Sequence, residues 1–290
     1  MLTVEHLYAL QSVANPVLAP SNEEAVFIRT LIDKDDNKYY THLFHVALES
    51  GEVTQWTFGK ERISSPKWSP DGKQLAFLSN RNEKNQLYIV QVRGGEAKQM
   101  TNVANGVSSF EWSPCGEKIW FASNVKRGKT ITEPLEKEEN KPPQAYVVDG
   151  MKYKMDGIGG NGLRSQDQFT QIAILHLADE HIDQFTSGDY HHNLAGISRD
   201  GKQLVIGVNR AENLDFEFRT PLYIVDIETK RETVLVDVAG YYGSATFSLD
   251  NRYIAYVGSD ATYKNATHTQ LYVYDTETKL TQNITEMLDA

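Results

Sequence analysis

Histidines are the residues of this sequence that could bind a metal ion. The chain has 8 histidines, and the adjacent pair His191-His192 lies downstream of His176 and His181. Two imidazoles share one helix face at the i, i+4 spacing, which none of these four residues has. A metal site would need His191, His192 and a third His or carboxylate to converge, and we favour ordinary loop histidines.

A glycine-rich tract matches a pattern of cofactor binding. Gly157-Ile158-Gly159-Gly160-Asn161-Gly162 reads G-x-G-x-x-G. That motif binds a pyrophosphate only where a buried strand leads into a helix N-terminus. Charged Lys152 to Asp156 precede the tract, so a flexible loop is predicted and no cofactor is expected.

A serine and the single cysteine are the candidate nucleophiles. Gly196-Ile197-Ser198-Arg199-Asp200 lacks the final glycine of the G-x-S-x-G elbow. Cys115 is the only cysteine, so one chain can form neither a disulfide nor a thiolate metal cluster. Ser198 and Cys115 both belong to a repeated turn, and we therefore assign no catalytic residue and no metal ligand.

The repeated turn is the most informative feature of the chain. Its clearest copy, Trp68-Ser69-Pro70-Asp71-Gly72, separates two β-like runs, and the turn Gly or Asn recurs at positions 22, 72, 116, 201 and 251. Proline presets φ, aspartate can bond its own backbone, and glycine or asparagine tolerates positive φ. The structural turn residues are Asn22, Pro70, Asp71, Gly72, Pro114, Gly116, Asp200, Gly201, Asp250 and Asn251.

The turns are 50, 44, 85 and 50 residues apart, a period typical of β-propeller blades. We predict an all-β propeller of four-stranded antiparallel blades with five blade repeats. The expected blades are 11–59, 60–101, 102–186, 187–236 and 237–285. In the second blade, apolar runs from Leu75 to Ser79 and from Leu87 to Val92 flank an expected polar loop, Asn80 to Asn85. Strands that are apolar on both faces belong inside stacked sheets.

The long third interval predicts an insertion at residues 124–168. Its first part, from Thr132 to Pro143, is charged and proline-rich, as in a solvated loop or a short exposed helix. Two later runs, 145–150 and 152–157, could form a short hairpin.

Charge and hydropathy exclude two classes of partner. With 29 Lys and Arg against 39 Asp and Glu, the net charge is −10, so nucleic-acid binding is not expected. No run approaches the roughly 20 apolar residues of a membrane helix, and no signal peptide precedes the first repeat. We expect no membrane association and a cytoplasmic location.

Three further tracts carry a family resemblance. They are the opening Leu2 to Leu10 with Val13 to Pro20, the run Tyr153 to Gly157 that leads to a strand at Gln171, and Asn213 to Thr220. Together with the turns they resemble the N-terminal β-propeller of the S9 prolyl oligopeptidase family, most closely its acylaminoacyl-peptidase branch. The resemblance covers nearly all of the 290 residues.

The resemblance implies a seven-bladed propeller that screens short peptides before a C-terminal α/β-hydrolase domain with Ser, Asp and His. The sequence ends after the fifth repeat, so no catalytic residue is carried over and we expect an excised piece of a longer protein. The partners it implies are the hydrolase domain and, transiently, peptides. Open blade edges would favour a homodimer.

Two alternatives remain at this point. A stand-alone TolB-like or WD40-like propeller would bind a protein partner through its loops. A metal-dependent propeller lyase would bind one ion through His191, His192 and a further ligand, with bonds near 2.1 Å.

Overall fold

Strands dominate the part of the chain that the computed structural model describes, namely residues 3, 5–134, 148, 153–154, 167–263 and 267–288. The tract Gly157–Gly162 and most of the expected hairpin in the insertion lie outside these residues. The elements are α1 (His6–Ala9), β1 (Ser12–Leu18), β2 (Glu24–Asp33), β3 (Lys38–Ala47), β4 (Val53–Gln55), β5 (Ile63–Trp68), β6 (Gln74–Asn82), β7 (Lys84–Gln91), β8 (Lys98–Gln99), β9 (Ser109–Trp112), β10 (Lys118–Lys126), β11 (Gln168–His176), β12 (Ile182–Gln184), β13 (His192–Ile197), β14 (Gln203–Val208), β15 (Arg219–Thr220), β16 (Leu222–Asp226), β17 (Glu232–Val236), β18 (Gly240–Phe247), β19 (Tyr253–Asp260), β20 (Gln270–Asp275) and β21 (Thr281–Asn283). None of the described helices is long and apolar enough to cross a membrane.

The chain divides into two compact units. Unit 1 comprises Met1–Phe121 and Leu175–Ile182, and unit 2 comprises Ala122–Ile174 and Asp183–Ala290. Unit 1 contains sheet 1, in the order β1-β2-β3-β4, and sheet 2, in the order β5-β6-β7-β8. The neighbouring strands of both sheets are antiparallel. The boundary between the units passes through sheet 3, whose order is β12-β11-β10-β9.

Unit 2 contains the other two sheets formed by the described residues. Sheet 4 has the order β13-β14-β16-β17 and is antiparallel throughout. Sheet 5 has the order β15-β18-β19-β20-β21. Its strand β15 comes from the segment between the second and third strands of sheet 4 and pairs in parallel with β18. The sequence repeats do not predict this added strand, because two residues are too few to show a period.

The central strands explain why the sheets stack. Five consecutive residues of β6, from Leu75 to Ser79, are buried, so both faces of this strand are covered. Each unit has its own apolar cluster: Val26, Leu43, Leu75 and Phe77 lie in that of unit 1, and Val205, Ile224, Ile254 and Tyr256 lie in that of unit 2. A two-faced apolar strand is stable only when neighbouring layers cover it.

Indole side chains connect successive sheets within unit 1. The Nε1–H of Trp68, in β5, donates to the Val17 carbonyl of β1 over 3.1 Å. Trp112, in β9, repeats this bond to the Lys67 carbonyl of β5 over 3.0 Å. A buried indole needs such an acceptor for its only donor. The same pair of bonds therefore sets the approach of β5 to β1 and of β9 to β5.

The prediction of a polar loop at Asn80–Asn85 is wrong. Strand β6 continues to Asn82 and β7 begins at Lys84, with Asn82 and Lys84 paired. Glu83 alone makes the turn at φ 70, and its N–H donates to the Asn80 carbonyl over 3.1 Å. The polar composition suggested a loop. A hairpin that extends beyond the core keeps its backbone hydrogen bonds while its side chains face water, so its strands are also polar.

The turn residues adopt the backbone that their types require. The φ values are 70, 73 and 70 at Gly72, Gly116 and Gly201, and 60 and 61 at Asn22 and Asn251. An L residue with a branched Cβ rarely adopts positive φ. These positions therefore accept only glycine or asparagine at low cost.

We expect Gly201→Val to lower the free energy of unfolding by about 1 to 3 kcal/mol, because valine is strained at positive φ. Gly243→Val is the matched control, since Gly243 lies in β18 without positive φ and an added Cβ would meet no atom within 4 Å. Denaturant titration of both variants gives the comparison. Equal losses at the two positions would contradict the turn assignment.

Candidate functional site

The hydroxyl of Ser198 is held by hydrogen bonds within its own turn. Ser198 is fully buried, and its Oγ donates to Asp200 Oδ1 over 2.7 Å. The same oxygen accepts from the backbone N–H groups of Lys202 and Gln203, over 3.1 and 2.9 Å. The bond from Ser198 is the main reason why the pKa of Asp200 lies below its ordinary value. A carboxylate with a lowered pKa is a poor general base, and burial closes this hydroxyl to substrate.

The same network is repeated in both units. Ser69 Oγ donates to Asp71 Oδ1 over 2.7 Å and accepts from the Gln74 N–H over 3.0 Å. Ser248 makes the equivalent bonds to Asp250 and Tyr253, over 2.5 and 2.9 Å. The serine at the start of these turns is thus a backbone-capping group, whereas the first turn has Ala19 at this position.

Cys115 replaces the aspartate in one copy of the turn. Its Sγ lies 3.2 Å from Ser113 Oγ, which accepts from the Lys118 N–H over 3.1 Å. The thiol is exposed beside a shallow cleft that Asp71 and Lys73 also line. No histidine lines this cleft, so the thiol has no base of the kind that activates a nucleophilic cysteine.

The sequence-predicted histidines do not assemble into a metal site. The Nδ1 of His191 accepts the Thr170 N–H over 3.1 Å, whereas His192 is 3% exposed and its Nδ1 has no hydrogen-bond partner. In unit 1, the rings of His176 and His181 are tilted relative to each other, with centroids 6.2 Å apart. Within the described ranges, no three His, Cys, Asp or Glu side chains lie close enough together to hold a metal ion.

A second repeat escaped the sequence analysis. The outer strands carry Gln or Asn two residues before a threonine, at Gln55-Thr57, Gln99-Thr101, Gln184-Thr186 and Asn283-Thr285. Each threonine Oγ1 accepts a backbone N–H from the strand that neighbours the outer strand, at Leu43, Leu87, Ile172 and Leu271, over 2.8 to 2.9 Å. The pattern Q/N-x-T could have been found as a spacing, but its purpose is visible only across the sheet.

His42 and Gln86 occupy the same place beside this repeat in unit 1. The buried Gln86 accepts from Thr101 Oγ1 over 2.8 Å and donates to the Val103 carbonyl over 2.8 Å. His42 precedes Leu43 as Gln86 precedes Leu87, yet its Nδ1 is buried without a partner. Burial lowers the pKa of His42. Burial therefore favours the neutral form of this imidazole.

Burial lowers the pKa of His192 from 6.5 to about 4, with the positive charge of Arg210 acting in the same direction and Glu232 opposing it. The unfolded chain thus binds more protons than the folded chain between these pH values. We expect stability to fall by about 3 kcal/mol as the pH drops from about 6.5 to about 4.

Urea titration measures the free energy of unfolding of the native chain and of His192→Gln across this pH range. His192→Gln should flatten the decline, although His42 will leave part of it. His181→Gln, at an exposed histidine, is the control and should keep the full slope. An unchanged slope in His192→Gln would refute the account.

Comparison with known proteins gives the family context. Residues 20–113 match the family described as Dipeptidyl peptidase IV (DPP IV) N-terminal region. Over 290 residues the chain is 32% identical to a Bacillus subtilis (strain 168) protein described as uncharacterized peptidase YuxL. The match covers 100% of this chain and 43% of that protein, so the chain spans less than half of the length of this curated relative.

Solved structures show the fold. An acylaminoacyl peptidase from Pyrococcus horikoshii superimposes with a TM-score of 0.70 at 18% identity, over 98% of this chain and 40% of that one. The β-propeller domain of the Trilobed protease from Pyrococcus furiosus gives a TM-score of 0.60 at 18% identity, over 96% of this chain and 72% of that one. The family match, the peptidase relative and the shared propeller fold agree with the resemblance of the repeats. In sequence over its whole length and in fold, the chain is similar to the N-terminal propeller region of such peptidases, as the resemblance of its repeats to the S9 prolyl oligopeptidase family implies.

Proposed function

We propose that this chain is a noncatalytic propeller region that controls the access of short peptides to an S9 peptidase active site. The observation that carries the proposal is the alignment of all 290 residues with 43% of a protein described as a peptidase. The remainder of such a protein has room for the α/β-hydrolase domain against which this region would pack. The catalytic Ser, Asp and His would belong to that domain.

Contacts within the turns support a structural role for the two candidate nucleophiles, Ser198 and Cys115. Ser198 is held by Asp200 and two backbone N–H groups. Cys115 has a serine hydroxyl beside it. The lyase alternative has no support within the described residues, because His191 and His192 gain no third ligand there.

The arrangement of blades is part of the same proposal. We assign sheets 1 to 5 to the intervals 11–59, 60–101, 102–186, 187–236 and 237–285. Repeated antiparallel sheets of four strands, each buried on two faces, are the units from which propellers are built. In the proposed role, the blades would limit the size of the peptides that reach the active site. In the same proposal, open sheet edges would pair between two copies, and light scattering would detect the dimer.

We expect the chain to hydrolyse neither acylaminoacyl nor prolyl chromogenic substrates, because the candidate hydroxyl has no base and no exposure. Substrate turnover is measured with the native chain and with Ser198→Ala. Hydrolysis by the native chain that Ser198→Ala abolishes would contradict the noncatalytic assignment. Hydrolysis that survives in Ser198→Ala would point to a contaminating peptidase.

The access role is tested in the polypeptide encoded by the reading frame that contains these residues. We expect that protein to cleave a short chromogenic peptide and to leave unfolded casein largely intact, since a propeller screen excludes long chains. The ratio of the two rates is the measurement. Equal cleavage of casein and of the short peptide would overturn the access role.

A further inference from the structure

A cavity of about 490 Å³ opens at the surface of unit 1 beside sheet 1. This volume falls within the range of small-molecule sites, which combine apolar walls with a few polar groups. The lining residues that decide its chemistry are Tyr8, Leu31, Asp33, Tyr40, His42 and Lys60. They comprise two aromatic rings, one aliphatic side chain, two opposite charges and a buried imidazole. The cavity therefore offers apolar contact together with three kinds of polar group.

Strands β2 and β3 place the imidazole and the acidic group on the same face of sheet 1. Leu31 lies directly opposite Tyr40, and Asp33 lies opposite Lys38. His42 is two residues beyond Tyr40, so both side chains point to one side of the sheet. Lys38 and His42 are four residues apart, which is roughly 13 Å along an extended strand. Asp33 therefore marks one end of this wall and His42 the other.

The segment before β5 supplies Gly59 and Lys60 to the cavity. Hydrogen bonds fix this segment against β3. The Thr41 N–H donates to the Glu61 carbonyl over 3.3 Å, and Thr41 Oγ1 donates to the Ile63 carbonyl over 2.7 Å. The backbone next to Lys60 is thus held beside the strand that carries the imidazole.

The two charged lining groups keep capacity for further bonds. Lys60 is paired with Asp36, but its side chain is 67% exposed and an ammonium group has several donors. Asp33 Oδ1 accepts the Asp36 N–H over 2.8 Å, and a carboxylate has acceptor positions on both oxygens. The bond with Asp36 raises the pKa of Lys60, and the charge of Asp33 acts in the same direction. A ligand at this end of the cavity would therefore meet a cation and an anion close together.

The imidazole of His42 is a polar group that the described residues leave unbonded at Nδ1. The residue is 5% exposed, and this nitrogen is buried without a hydrogen-bond partner. Arg29, which lies opposite His42 in β2, has its guanidinium 5.2 Å from the Phe44 ring centroid. Burial favours the neutral ring, in which one nitrogen accepts a hydrogen bond. Because Nδ1 is enclosed, a molecule in the cavity would donate to Nε2.

We propose that this cavity binds a free α-amino acid whose aromatic side chain ends in a hydrogen-bond donor, as in tyrosine. The ammonium would bond to Asp33 and the carboxylate to Lys60, because an α-amino acid carries both charges on one carbon. The ring would pack against Leu31 and Tyr40. The hydroxyl would donate to His42. The site holds the amino acid unchanged, and the inference goes beyond the proposed function and does not depend on it.

Equilibrium dialysis of the native chain with radiolabelled L-tyrosine tests the proposal. The competitors each lack one recognised group: phenylalanine lacks the hydroxyl, tyramine the carboxylate and desaminotyrosine the ammonium. We expect one saturable tyrosine site and competition that is about tenfold weaker for each analogue, because each leaves a polar group of the cavity unpaired. Hydrolysis is not measured, so failure here leaves the proposed function untouched.

Lys60→Met should weaken tyrosine binding about tenfold, because the ligand carboxylate loses its ion pair. Lys98→Met is the matched control, since Lys98 is also a lysine of unit 1, is 63% exposed and is paired with Glu180. It should bind tyrosine as the native chain does.

His42→Leu should remove the preference for tyrosine over phenylalanine, because leucine accepts no hydrogen bond. Circular dichroism shows whether this buried variant folds, and Lys60→Met provides the test at an exposed position if it does not. The absence of saturable tyrosine binding, equal competition by any of the three analogues, or equal affinity in Lys60→Met and Lys98→Met would each overturn the proposal.

Discussion

Burial of both faces of the central strands is the constraint on which the rest of this structure depends. In β6, Leu75, Ala76, Phe77 and Leu78 follow one another and all are buried. Alternation sends two of these side chains to each face, so a layer must cover either side. A sheet of this kind cannot stand alone in water, and the indole bonds of Trp68 and Trp112 connect it to its neighbours within unit 1.

Stacking brings backbones close together and requires their polar groups to be satisfied. In unit 2, an ideal Cβ at Gly196 of β13 would lie 2.3 Å from the Ala245 carbonyl oxygen of β18, so only glycine allows this approach. At the turns, serine and aspartate cap the free N–H groups. The close approach at glycine and the capping of the turns both stabilise the stacked sheets. The serine and aspartate side chains of the turns are therefore used to satisfy backbone groups.

The surface is where this chain has capacity for function. The serine hydroxyls of its turns are held by hydrogen bonds, and His42 and His192 are buried, whereas Phe216 is exposed.

The turns and the types of strand could be predicted from the sequence, because they depend on the chemistry of neighbouring residues. Gly72, Gly201 and Asn251 were identified because few residues adopt positive φ, and apolar runs such as Leu87 to Ile89 indicated two-faced strands. The long hairpin at Glu83, the Q/N-x-T bonds and the added strand β15 were missed. Burial of His192 and exposure of Phe216 were decided only by the tertiary structure. The burial of His192 and the exposure of Phe216 both depend on residues that are distant in sequence. The assembled sheets decide which face of a segment is covered by another layer.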